Sequence, residues 1–182
     1  MVLKSTPGKY GSVALSIHWI GAILILILIV SGFRAASTMD QAAKAMILRV
    51  HVPVAIAVLA LTILRIVWWL GFDRKPEPIA GSPRWQERIA RLVHIVFYVV
   101  ILGMAASGVG MLALSGAAPT IFSGEGAQLP DFWKYPPRIP HGIGARLFVA
   151  LLFLHVGAAL YHHFIRRDGL LWRMWFSKRS VA

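Results

Sequence analysis

Four apolar stretches, near residues 12–33, 45–70, 89–114 and 140–165, restrict this chain more than any other feature. An α-helix rises about 1.5 Å per residue, so roughly 20 apolar residues cross a hydrocarbon core about 30 Å thick. Each stretch reaches that length. In lipid every backbone N–H and C=O must be satisfied within the segment or in a closed barrel, which favours helices for runs this long. The reading is an all-α integral membrane protein, a four-helix transmembrane bundle, with residues 1–182 as a single membrane domain. Composition agrees, since 58% of the residues are hydrophobic and only 14% are charged. The first run, "ALSIHWIGAILILILIVSGF", is long for a signal-peptide core and is expected to remain as the first span.

A net charge of +12 raises the question of nucleic acid. The basic residues flank the apolar runs instead of forming a basic domain, so nucleic acid is not expected and membrane topology explains them better. Lys4, Lys9, Arg74, Lys75, Arg84, Arg88, Arg91, Arg166, Arg167, Arg173, Lys178 and Arg179 fall on one side of a four-span arrangement. Arg34, Lys44, Arg49, Lys134 and Arg138 fall on the other, which puts both termini in the cytoplasm. "DRKPEPIAGSPRWQER" then reads as a cytoplasmic loop and "SGAAPTIFSGEGAQLPDFWKYPPRIP" as the largest external feature. The segment 168–179, with "GLLWRMWFSKR", interleaves aromatic and basic residues as an interfacial anchor does. There is no cysteine, which excludes disulfides, thiolate metal sites and covalently attached c-type haem.

Histidine is costly inside a bilayer and marks a candidate functional site. Every span has at least one: His18, His51, His94, and on the last span His141, His155, His162 and His163. At 100° per residue the 14-residue interval from His141 to His155 returns both rings to nearly the same face, roughly 21 Å apart along the axis. One helix can therefore serve two sites. His51 and His141 both lie near the outer ends of their spans and can meet at one depth. For His18, near the inner end of the first span, His155, His162 and His94 all compete. His162 would put the two sites roughly 31 Å apart, beyond the hydrocarbon core, yet His155 is about 16 Å deep from Arg166 and His18 only about 9 Å from its span start.

Paired imidazoles in an apolar bundle suit few occupants. A di-iron site needs inward carboxylates, which the spans scarcely contain, and tetrahedral zinc or a copper site wants more ligands at one depth. Two bis-histidine b-type haems fit the pattern best, with both axial positions of each iron closed by imidazole, as electron transfer favours. Arg49 and Arg138 for the outer haem and Arg65 for the inner are candidate partners of the propionates. Gly21, Gly103, Gly108 and Gly157 are small enough to admit a porphyrin.

"SIHWIGAILILILIVSGF", "ILRVHVPVAIAVLALTILRIVWW", "RIARLVHIVFYVVILGMAASGVGML" and "HGIGARLFVALLFLHVGAALYHHFIRRDGLLWRM" together resemble the prokaryotic cytochrome b561 family over almost the whole chain. Within it the chain is most similar to small standalone members, superoxide oxidase among them. It is more distantly similar to the dihaem membrane subunits of nickel-iron hydrogenase and formate dehydrogenase. The resemblance implies that the fourth span gives two ligands 14 residues apart, so that His18 with His155 holds the inner haem and His51 with His141 the outer. It also implies a bacterial inner-membrane protein with a quinone pocket beside the inner haem, for which His94 and His162 are candidates, while His163 meets headgroups. The expected activity is transfer of electrons from superoxide across the bilayer to ubiquinone. The alternatives are a haem b anchor subunit for a periplasmic dehydrogenase or hydrogenase, and a haem-free transporter using the histidines as relays. Oligomeric state is not legible.

Overall fold

The computed structural model describes residues 2–79, 81–124 and 128–176. Four long helices dominate: α1 (Ser12–Ser37), α2 (Gln41–Val67), α3 (Arg84–Ser115) and, after the short α4 (Ala118–Phe122), α5 (Arg138–Tyr161). All four long helices are long and apolar enough to cross a membrane. Among the described residues there is no strand, and one isolated bridge joins Thr6 to Lys9. Several helix ends lie beyond the limits that hydropathy suggests, α1 continuing to Ser37 and α3 starting at Arg84. The reason is physical: polar end turns still close helical hydrogen bonds once they leave hydrocarbon, and hydropathy registers only the apolar middle. Many large apolar side chains face outward, including Ile23, Leu26, Leu64, Ile95 and Phe153, as a lipid-facing surface requires.

Two of the long helices end in a wider turn, Trp68–Phe72 after α2 and His162–Arg166 after α5. Such a turn closes each hydrogen bond one residue later than an α-helix does, which rotates every following side chain out of α-helical phase. The first closes through Asp73 N–H to the Trp68 carbonyl at 3.0 Å. The second stops at Arg167, which takes the left-handed conformation with φ of 52°.

Contacts divide the chain into two units: Met1–Gly21, Leu61–Tyr98 and Ala150–Ala182 form the first, and Ala22–Ala60 with Val99–Val149 the second. In the first, Asp73 ties the N-terminal segment down. Its carboxylate accepts from Ser5 N–H at 3.0 Å, Ser5 Oγ at 2.8 Å, Trp68 Nε1 at 3.1 Å and Arg74 N–H at 2.8 Å. Burial opposes its charge, but the bonds from Ser5, Arg74 and Trp68 outweigh this and hold the carboxyl below its usual range. The segment read as an interfacial anchor folds onto the same unit: Trp19 Nε1 donates to the Met174 carbonyl at 2.8 Å, Trp19 packs edge-on against Trp175, and Arg173 Nη1 donates to the Glu77 carbonyl at 2.6 Å. Residues 177–179 of that segment lie outside the described residues.

In the second unit the long loop between α3 and α5 carries a small core of its own. Ile121, fully buried, joins Ala117 and Leu129 against Ala45, Leu48, Leu112 and Phe132. The aromatic Trp133 is exposed, and the Arg138 guanidinium covers its ring at 4.5 Å from the centroid.

Candidate functional site

In the second unit, His51 on α2 faces His141 on α5, with ring centroids 6.4 Å apart. A hydroxyl stands behind each ring. Ser31 Oγ, on α1, donates to the Ile27 carbonyl at 2.6 Å, with the Leu28 carbonyl at 3.3 Å, and stands 2.9 Å from His51 Nδ1, placed to accept from the ring in its Nδ1–H tautomer. Ser107 Oγ, on α3, donates to the Met104 carbonyl at 2.9 Å and accepts from His141 Nδ1, also at 2.9 Å; the same nitrogen reaches the Met104 carbonyl at 3.1 Å. These acceptors suit the Nδ1–H tautomer of both rings, which leaves Nε2 bare. Glycine makes room for them. A Cβ added at Gly32 would stand 3.1 Å from His51 Cε1, and one at Gly108 3.5 Å from His141 Cε1.

In the first unit, His18 on α1 faces His155 on α5 at the same centroid separation, 6.4 Å. Arg65, from α2, donates through Nη1 to His18 Nδ1 at 3.2 Å, and its buried Nε has no partner among the described residues. Lys75 adds a second cation and lies over the Trp69 ring at 5.9 Å. Burial first, then the nearby charges of Arg65 and Arg91, push the Lys75 pKa down. Sequence reasoning counted Lys75 toward topology alone, and nothing in its spacing marks it as part of the site.

His94 donates from Nδ1 to the Ala90 carbonyl at 2.6 Å and packs edge-on against His155 at 5.7 Å, where Phe97 also packs at 5.6 Å. His162 opens the wide turn, and its Nδ1 bonds the Asp168 carboxylate. Burial opposes the Asp168 charge, but the His162 bond, the Leu170 N–H and the charges of His162 and Arg166 keep it below the usual carboxylate range. His163, read as a headgroup contact, packs against Trp172 at 6.0 Å and lines a cavity of about 200 Å3 with Leu171, Trp172 and Trp175. Arg49 Nε donates to the Ile121 carbonyl, and Arg138 covers Trp133. A guanidinium carries five N–H groups, so neither contact exhausts its donors. Of the four glycines read as porphyrin clearances, only Gly108 meets a histidine; no atom approaches an added Cβ at Gly21, Gly103 or Gly157.

An imidazole nitrogen binds a first-row metal ion at about 2.0–2.1 Å and lies roughly 1.1 Å from its ring centre, so two rings on opposite sides of one ion place their centroids about 6.2–6.4 Å apart. His18 with His155 and His51 with His141 meet that separation; His94 with His155 falls short of it. Among the described residues no group of three or more His, Asp or Glu side chains is arranged to hold a metal ion. An ion at either pair therefore needs its other ligands from a cofactor. The prokaryotic cytochrome b561 family model matches residues 9–177.

The chain belongs to the prokaryotic cytochrome b561 family.

As a cytochrome b561 it is a multi-pass membrane electron carrier that binds haem b. It is 31% identical over 122 residues to cytochrome b561 homolog 1 of Escherichia coli (strain K12), covering 59% of this chain and 68% of that one. It is 26% identical over 179 residues to the probable superoxide oxidase CybB of Yersinia pestis, covering 94% and 98%. To cytochrome b561 homolog 2 of Escherichia coli (strain K12) it is 24% identical over 191 residues, covering 96% and 95%. The residues fit the cofactor of a cytochrome b561 on three counts: opposed imidazoles at the right separation, bare Nε2 atoms at His51 and His141, and an orphaned, buried guanidinium Nε at Arg65 suited to an anionic carboxylate.

Proposed function

We propose that this cytochrome b561 holds two haems b and passes single electrons from superoxide to ubiquinone. The carrying observation is the duplicated pair, His18/His155 and His51/His141, each at 6.4 Å. Haem b supplies one-electron chemistry at iron. His18 with His155 and His51 with His141 would hold the two haems through imidazole nitrogen, and the group would supply electron transfer there in preference to oxygen binding. Arg65 and Lys75 neutralise propionates of the haem at His18/His155, and Arg49 and Arg138 serve the other. Basic residues flanking the spans assign both termini to the cytoplasm and the His51/His141 haem to the periplasmic side of the inner membrane. There Arg49, Lys134 and Arg138 attract an anionic donor.

Two superoxide anions each lose one electron to become dioxygen, and one quinone gains two electrons and two protons. His162, oriented by Asp168, and His94 are the groups assigned to the quinone carbonyls and their protons. The similarity to the probable superoxide oxidase of Yersinia pestis over nearly its full length supports this donor. The purified chain should show a reduced b-type α-band, two haems per polypeptide, and superoxide-dependent ubiquinone reduction. Reduction that occurs only with an added periplasmic dehydrogenase or hydrogenase would make it an anchor subunit instead.

A further inference from the structure

The two histidine pairs differ in what stands behind the rings. Ser31 and Ser107 are each 9% exposed, and each is reached from a helix that supplies no ligand to the pair it supports. Each gives its only hydrogen to a carbonyl of its own helix, Ile27 or Met104, and is left with lone pairs for an imidazole N–H. An acceptor at Nδ1–H makes the ring a stronger electron donor through Nε2 and locks its orientation, which stabilises the oxidised form of a bound iron. His18 has the opposite neighbour. Arg65 cannot accept a proton, and its positive charge favours whichever form of the site carries less positive charge.

We propose that Ser31 and Ser107 are positioning residues that set the potential of the haem at His51/His141 below that of the haem at His18/His155, where Arg65 has the contrary effect. This rests on the dihaem reading above. It gives an electron arriving at the His51/His141 haem a downhill path: that iron is oxidised by one electron as the other is reduced by one.

The test is a potentiometric titration of the haem-loaded, full-length protein, followed at the α-band. His51→Ala, which removes one haem, identifies the wave that belongs to the other. The expected result is two waves, the lower absent in His51→Ala. Ser31→Ala combined with Ser107→Ala should move the lower wave upward and leave the upper one in place, and Ser31→Thr with Ser107→Thr should restore it. Loss of that haem in the alanine variant, restored by threonine, also supports the hydroxyls' role. A double alanine variant with two haems and unmoved waves overturns the proposal, as does a lower wave that persists in His51→Ala or a haem loss that threonine does not repair. A wild-type protein that binds no haem would instead refute the dihaem reading itself.

Discussion

Arg65 aims Nη1 at Nδ1 of His18 across 3.2 Å, while its buried Nε has no acceptor among the described residues. Ligation through Nε2 requires the His18 proton on Nδ1, and a guanidinium cannot accept it. Arg65 must therefore turn to another acceptor when His18 binds iron, and a propionate is the anion at hand. Arg65→Gln removes the charge and the fork. Charge-assisted hydrogen bonds contribute about 1.5–3 kcal/mol, so the affinity for the haem at His18/His155 should fall roughly 10- to 100-fold. Haem titration of the apoprotein measures this, and Arg65→Lys should recover only part of the loss.

His155 faces His18 across 6.4 Å between ring centroids, whereas His162, seven residues further on, is held by the Asp168 carboxylate. His155→Ala should halve the haem content, leaving one haem per chain. His162→Ala should leave both haems and slow quinone reduction. Pyridine haemochrome analysis of the two purified variants decides between them, and the reverse result would reassign the ligand.

Gly32 provides the clearance for the His51 ring, with 3.1 Å between an added Cβ and His51 Cε1. Gly32→Val places two further methyl groups in that gap and should displace the ring, so that one haem is lost and the remaining one has the spectrum of His51→Ala. Gly21→Ala, where no atom lies within 4 Å of the new Cβ, is the matched control and should retain both.

Asp73 should govern acid stability at its end of the molecule. Its folded pKa is depressed below the ordinary carboxylate value of 3.8, so its contribution is complete above that value and is lost as the pH falls through the lower folded one. Asp73→Ala removes the acceptor for Ser5, Trp68 and Arg74 and should cost about 1–3 kcal/mol at neutral pH. Thermal melts in detergent should show the gap between wild type and variant narrowing only at strongly acidic pH. A gap that is constant with pH would remove the electrostatic explanation.

The four spans and the histidines on them were legible in the sequence because a bilayer imposes a length and a polarity on every crossing segment. The spacing of His141 and His155 was legible for the same reason, since both belong to the uninterrupted part of α5. The partner of His18 was not. Choosing among His94, His155 and His162 depends on how helices from distant parts of the chain approach one another. Ser31, Ser107 and Gly32 were invisible for a related reason: a hydroxyl or a missing side chain acquires its role only when another helix presents a ring to it. Solvent preference along one chain therefore determined that this protein crosses a membrane carrying buried imidazoles. Packing between helices decided which rings face each other and which groups stand behind them, because hydrogen bonds and van der Waals contact act over a few ångströms between residues that the sequence keeps far apart.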